Sequence, residues 1–112
     1  MVGPRTPLRG EVWLAAVPVA GVHPVVVLTA NRIARPLSAV TVVLVTGTEG
    51  PEETRVALDA GSGLVKYHES YADCTSIHTL DKPRLRRCMG RVQAAEMARI
   101  EDSVRMVLGL RA

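Results

Sequence analysis

The sequence predicts a small, mainly β domain that ends in one helix. Its apolar residues, 47% of the chain, are chiefly Val, Ala and Leu, with no Phe and one Trp. A core rich in β-branched residues favours a sheet, because these side chains lose little freedom in an extended backbone. Short apolar stretches separated by Gly and Pro continue to residue 92, and a helical period follows from Gln93. With 112 residues, a single domain with one hydrophobic core is expected.

Six stretches have the composition of strands and are bounded by turn-forming residues. In chain order they are residues 11–17, 24–30, 40–46, 54–58, 70–79 and 85–92. The second stretch is apolar throughout its middle, so we expect it to be central in the sheet or buried on both faces. Asn31 is expected at its end, because a short amide side chain can hydrogen-bond a turning backbone. Five or six short strands plus one helix predict a small barrel with a lid.

The period of the apolar residues changes after residue 92. Between Gln93 and Leu110 they recur at spacings of three and four, which places them on one face of a helix. They are Met97, Ile100, Val104, Val107 and Leu108. Gln93 is a poor N-cap, although Glu96 stands where a capping box requires it, and Gly109 suits the C-terminal end. An amphipathic C-terminal helix is therefore predicted.

Charge and cysteine content narrow the class of protein. The net charge of +3 and the pI of about 9.3 fit a polyanionic partner without requiring one. Cys74 and Cys88 lack CxxC spacing, and no signal peptide precedes them, so reduced thiols in a cytosolic protein are expected.

No segment approaches the roughly 20 apolar residues of a membrane span. No His, Cys or acidic grouping has metal-ligand spacing. We therefore expect a cytoplasmic protein with no membrane association, no metal and no cofactor.

Five short motifs occur along the chain in a characteristic order. Residues 9–13 read RGEVW, and residues 24–27 read PVVV, with Asn31 soon after. Residues 79–85 read TLDKPRL, followed by GRV at 90–92 and VLGL at 107–110. Together they resemble the MazF/PemK toxins of bacterial toxin–antitoxin systems, over a single domain at residues 9–110. Residues 1–8, rich in Pro and Gly, are expected to form a flexible arm.

The resemblance implies an SH3-like β-barrel of five to seven strands, a homodimer and a cognate antitoxin as partner. It also implies metal-independent, sequence-specific cleavage of single-stranded RNA. In that reaction the 2′-hydroxyl attacks its own phosphate and leaves 2′,3′-cyclic phosphate and 5′-hydroxyl ends. The family's catalytic pair is an Arg before the Pro that opens the second strand and a Thr that ends the third. Here the Thr is Thr46, and His23 replaces the Arg.

His23 suggests a different division of the chemistry from that of an arginine. An Arg stabilises charge but transfers protons poorly, whereas a histidine titrates near neutral pH and can act as acid or base. His23 and Thr46 are therefore the candidate catalytic residues, with the Thr46 hydroxyl donating to a phosphate oxygen. The ordinary alternatives are a strand-entry histidine bonded to a nearby carbonyl and a threonine in turn chemistry.

Candidate RNA contacts follow from the same layout. They are His78, Thr75, Lys82, Arg84, Arg86, Arg87 and Tyr71. Basic side chains would bind the phosphate backbone with salt-dependent, sequence-independent affinity. Strand alternation separates Arg86 from Arg87, so not all of them can line one groove. Tyr67 and Tyr71 are the candidates for base stacking, and His68 is expected to be solvated.

Two other functions stay open from the sequence alone. One is a non-catalytic toxin on the same fold that binds a protein target such as DNA gyrase. The other is an RNA-binding module whose catalysis was lost with the Arg. The C-terminal helix and the TLDK segment favour the nuclease over the gyrase binder. His23 fits the nuclease and the RNA-binding module equally well.

Overall fold

Antiparallel strands and a C-terminal helix form the part of the chain that the computed structural model describes, residues 5–59, 62–63 and 69–111. The strands are β1 (Glu11–Val17), β2 (Gly21–Val27), β3 (Ala39–Thr46), β4 (Arg55–Leu58), β5 (Ser70–Asp81) and β6 (Leu85–Arg91). The helices are α1 (Asn31–Ala34) and α2 (Ala94–Leu108), and a 3-10 turn at Lys82–Arg84 joins β5 to β6. The strand order in the sheet is β4-β5-β3-β2-β1-β6. The predicted mainly β fold with a C-terminal helix is confirmed. Tyr67 and His68 lie outside the described residues.

The sheet is open between its edge strands, β4 and β6, so the prediction of a closed barrel is wrong in this respect. Within the described residues no ladder joins the two strands. Residues 62–63, which follow β4, lie against Met89 and Gly90 of β6 instead. Gly63 has a φ of +89°, and a Cβ there would overlap the main chain of Met89, so this approach requires glycine. A barrel closes only when its edge strands pair in register, whereas here a loop contact spans the gap.

Apolar side chains lie on both faces of the sheet. Successive residues of a strand point to opposite faces, so a continuous apolar run contributes to both. Val26 belongs to the cluster that includes Ile100 of α2. Val25 and Val27 belong to a second cluster on the opposite face. All three valines are fully buried. The apolar run of β2 is therefore explained as predicted, by a central strand with both faces covered.

The hairpin between β1 and β2 starts β2 earlier than its sequence suggests. Val17 pairs with Gly21, so residues 18–20 form a tight turn, in which Val19 has a φ of +70°. A left-handed backbone is unfavourable for a β-branched residue. Pro24, which the sequence predicts as the start of this strand, lies inside β2. It is tolerated because the pairing of β2 with β3 begins only at Val25.

Asn31 begins the short helix α1 and does not end β2, which stops at Val27. Its side-chain oxygen accepts the main-chain N–H of Arg9 at 2.7 Å. The predicted role, an amide side chain that bonds backbone, is therefore present with a partner remote in sequence. A helix of four residues is too short to give a periodic signal.

A capping box starts α2 despite the unusual N-cap residue. The Gln93 side chain accepts the Glu96 main-chain N–H, and the Glu96 carboxylate accepts that of Gln93 at 2.8 Å. The other carboxylate oxygen of Glu96 accepts the N–H of Asp59 at 2.8 Å, which ties the helix to the end of β4. Gly109, with a φ of +68°, ends the helix as predicted.

The last turn of α2 leaves the core. Met97, Ile100 and Val104 pack against the sheet, as the periodicity predicts. Leu108, assigned to the same buried stripe, is 53% exposed, and Val107 is also exposed. The predicted buried stripe is therefore wrong for Val107 and Leu108, where α2 extends past the sheet. Among the described helices, none has the length and apolar character to cross a membrane.

Candidate functional site

A pocket of about 260 Å³ lies where β2 begins, β3 ends and β5 begins. Neighbouring strands are antiparallel, so the start of β2 and the end of β3 lie at the same end of the sheet. The lining consists of Val22, His23, Pro24, Val45, Thr46, Gly47 and Ser70. The predicted catalytic pair, His23 and Thr46, thus lines one pocket.

Strand alternation places both candidate side chains on the face opposite α2. His23 is two residues before Val25, and Thr46 is two residues after Leu44. Val25 and Leu44 are register partners, so all these side chains share a face. That face carries the second core cluster, of which Val25 is a member.

His23 is half-buried and is held by the turn that precedes it. Its Nε2 lies 2.9 Å from the carbonyl oxygen of Ala20. A carbonyl only accepts, so Nε2 must carry a hydrogen, and the neutral ring keeps its lone pair on Nδ1. This bond is also the contact expected of a histidine that merely fills a strand entrance. The geometry is compatible with a base at Nδ1.

Thr46 ends β3 with its hydroxyl oxygen partly engaged. Thr46 Oγ1 accepts the main-chain N–H of Thr48 at 3.2 Å. Because the oxygen accepts in this bond, the hydroxyl hydrogen remains able to donate elsewhere. This is the turn chemistry expected of such a threonine, and it also orients the hydroxyl as a donor at the pocket.

Ser70 lines the pocket and was missed in the sequence. It begins β5 and is only 5% exposed. A serine at the start of a polar strand carries no signal of its own. Only the sheet topology, which puts the start of β5 beside the end of β3, could have identified it.

Asp73 organises an irregularity in β5. The register of β5 against β3 shifts between Ile77 and Asp73. The carboxylate accepts the Thr75 hydroxyl at 2.6 Å, the Thr75 N–H at 3.1 Å and the Ser76 hydroxyl at 3.0 Å. Burial raises the pKa of Asp73, but these bonds and the charge of Arg55 outweigh it and lower the pKa. Thr75, a predicted RNA contact, thus uses its hydroxyl within the turn.

Tyr71 and His78 lie outside the His23–Thr46 pocket. Tyr71 lines a larger cavity of about 660 Å³ between the β3–β4 loop, β4 and α2, and its hydroxyl donates to Glu69 at 3.1 Å. Burial, then the bond to Glu69 and nearby negative charge, raises the pKa of Tyr71. His78 pairs with Val42, four residues along β3 from Thr46, which is roughly 13 Å. His78 is therefore remote from the pocket, whereas Tyr71 pairs with Thr46 across β3 and β5 although it lines the larger cavity.

The basic residues lie across the sheet from His23. Leu85 pairs with Ala15, which pairs with His23, so β6 starts in the same row, two inter-strand spacings or about 10 Å away. Arg84, Arg86 and Arg87, around this position, are all exposed. Lys82 is half-buried, and its Nζ donates to the carbonyl of Arg35 at 3.2 Å. Arg87 pairs with Leu14, so strand alternation puts its side chain on the face opposite His23.

The described residues contain no group of three or more His, Cys, Asp or Glu side chains that could hold a metal ion. Cys74 and Cys88 form no disulfide. Burial raises the pKa of the Cys74 thiol, with a smaller contribution in the same direction from the charge of Asp73.

The chain belongs to the PemK-like, MazF-like toxins of type II toxin–antitoxin systems, whose family profile matches residues 8–108. It is 33% identical over 105 residues to "Probable endoribonuclease MazF2" of Mycobacterium tuberculosis, covering 90% of this chain and 97% of that protein. Its fold matches an endoribonuclease from a mycobacterial species with a TM-score of 0.84 and 28% identity, over 96% of both chains. An endoribonuclease in complex with its cognate antitoxin, also mycobacterial, has a TM-score of 0.84 and 29% identity, over 95% of this chain and 98% of that one.

Proposed function

We propose that this toxin is a metal-independent endoribonuclease that cuts single-stranded RNA in the pocket formed by His23 and Thr46. The main support is that the side chains of His23 and Thr46 line one pocket on one face of the sheet. Membership of the MazF-like toxins supports the nuclease activity, as does the similarity to proteins named as endoribonucleases.

The proposed reaction is a transesterification within the RNA. The 2′-hydroxyl loses its proton to Nδ1 of His23 and bonds to the adjacent phosphorus. The bond from phosphorus to the 5′-oxygen breaks, and that oxygen takes a proton from a solvent water molecule. Thr46 donates its hydroxyl hydrogen to a non-bridging phosphate oxygen, where charge develops. The products are a 2′,3′-cyclic phosphate and a 5′-hydroxyl.

The exposed arginines at the start of β6 bind the RNA backbone in this proposal. Arg84, Arg86 and Arg87 are exposed and close to the row of His23. Each phosphate contact adds affinity that falls with salt and does not depend on sequence. Strand alternation keeps the three from lining one groove together, so those on the face of His23 position the RNA strand while the pocket cuts it.

The partners that we propose are a cognate antitoxin and a second copy of the chain. A structural neighbour is described as an endoribonuclease in complex with its cognate antitoxin. The end of α2 exposes Met106, Leu108 and Leu110, which are 54%, 53% and 59% exposed. Large apolar side chains exposed at and just after the end of a helix can mark an interface, so we assign this end of the chain to the homodimer. The toxin acts in the cytoplasm, where its RNA substrate is.

The test is cleavage of a long natural RNA by the purified protein in excess EDTA, with mapping of cut positions and end groups. We expect cuts at a short recurring sequence, with 2′,3′-cyclic phosphate and 5′-hydroxyl ends. Cleavage that needs an added metal, or 3′-hydroxyl ends, would contradict the proposed chemistry. RNA binding without cleavage would indicate the non-catalytic RNA-binding module.

A further inference from the structure

Arg55, the first residue of β4, bridges two segments next to the pocket. Its Nη1 donates to the carbonyl of Thr48 at 2.5 Å, and its Nη2 lies 3.5 Å from a carboxylate oxygen of Asp73. The two side chains are 22% and 13% exposed. The guanidinium therefore links the turn after β3 to the irregular part of β5.

The turn after β3 is shaped to receive this side chain. A Cβ on Gly50 would lie 2.9 Å from Cγ and 3.1 Å from Cζ of Arg55, so a larger residue there would displace the arginine. Arg55 Nε is buried and has no hydrogen-bond partner among the described residues. An unpaired buried donor is unfavourable, so Nε itself adds no stability.

The bridge ends one bond from the candidate catalytic hydroxyl. Arg55 holds the carbonyl of Thr48, and the N–H of the same residue donates to Thr46 Oγ1 at 3.2 Å. Asp73 is itself held by Thr75 and Ser76, so the arginine has a fixed anchor. An unbroken series of contacts thus runs from Asp73 through Arg55 and Thr48 to Thr46.

We infer that Arg55 is a positioning residue for RNA cleavage, which fixes the Thr48 backbone so that the Thr46 hydroxyl donates towards the scissile phosphate. The inference rests on the proposed function of Thr46. Arg55 does not touch the RNA in this account and acts only through the turn. Hydrogen-bond donors must be oriented before the reaction to stabilise developing charge, so loosening the turn lowers kcat more than it changes KM.

The kinetic test is a double-mutant cycle of Arg55→Met and Thr46→Val on a short RNA that contains a mapped cut site. We expect Arg55→Met to lower kcat about 10-fold, with KM changed less than about twofold. In the Thr46→Val background the same change should cost less than about twofold, because the group that it orients is gone. Equal losses in both backgrounds would overturn the inference. Arg99→Met, which alters another arginine of the 660 Å³ cavity that Arg55 lines, is the matched control and should leave kcat unchanged.

A second measurement tests whether Arg55 positions Thr46 independently of RNA cleavage. Amide hydrogen exchange of Thr48 reports its bond to Thr46. We expect that exchange to speed up at least about threefold in both Arg55→Met and Thr46→Val, but not in Arg99→Met. Unchanged exchange in Arg55→Met would overturn the inference whether or not RNA is cut. If wild type fails to cut RNA while exchange responds as expected, the proposed function fails and the positioning of Thr46 stands. A thermal scan confirms that each variant is folded.

Discussion

Nε2 of His23 lies 2.9 Å from the carbonyl oxygen of Ala20, across the turn that joins β1 to β2. His23 and Thr46 could be predicted as a pair, because the resemblance places one before Pro24 and the other at a strand end. The carbonyl partner could not be predicted, because it depends on a three-residue turn with Val19 at a φ of +70°. A contact that depends on such a backbone angle leaves no recognisable pattern in the sequence.

Asp73 gives a prediction for acid stability. Burial raises its pKa, and the opposing bonds from Thr75 and Ser76, with the charge of Arg55, lower it overall. A carboxyl group with a lowered folded pKa stabilises the protein above its unfolded value, about 3.9. That contribution is lost as pH falls through the folded value. Asp73→Asn should therefore lower Tm at pH 7, and its difference from wild type should shrink as pH falls through the folded pKa of Asp73. Circular dichroism melts between pH 7 and 2 measure this, and a constant difference in Tm across that range would contradict the assignment.

The secondary-structure elements were predictable where periodicity decides them and not where tertiary contacts do. β1 matches its predicted residues, since alternation and the following Pro18 define it. The predicted start of β2 at Pro24 is too late, because the hairpin with β1 begins the strand at Gly21. The gap between β4 and β6 is spanned by the close approach of Gly63 to Met89, which no local pattern predicts.

The start of α2 gives a second prediction. Glu96, 4% exposed, accepts N–H groups from Gln93 and Asp59, so Glu96→Ala removes both hydrogen bonds and with them the capping box. We expect a loss of about 1–3 kcal/mol in the free energy of unfolding. Glu101→Ala, in the same helix, removes only a part-exposed pair with Arg9 and should cost about 0–1 kcal/mol. Urea unfolding of both variants measures the difference, and a loss in Glu96→Ala no larger than that in Glu101→Ala would contradict the expected contribution of the capping box.

At the scale of the whole molecule, the exposed end of α2 predicts the oligomeric state. Leu108 is 53% exposed within the apolar group that we assign to the dimer. Wild type should have twice the 12.0 kDa chain mass by light scattering, and Leu108→Glu should be monomeric. Leu37→Glu, at a leucine that is 50% exposed elsewhere, should remain dimeric. A dimeric Leu108→Glu variant would exclude this surface, and a monomeric wild type would contradict the homodimer.

His23 is the base for the 2′-hydroxyl in the proposed reaction, and a rate comparison with a second histidine tests this role. The measurement is the single-turnover rate of RNA cleavage in EDTA for wild type, His23→Ala and His78→Ala. His78 is a histidine on the same face of the sheet but outside the pocket. We predict that His23→Ala loses at least about 100-fold, while His78→Ala loses less than about 10-fold. A loss below about threefold in His23→Ala would contradict the claim and return His23 to a structural role at the strand entrance.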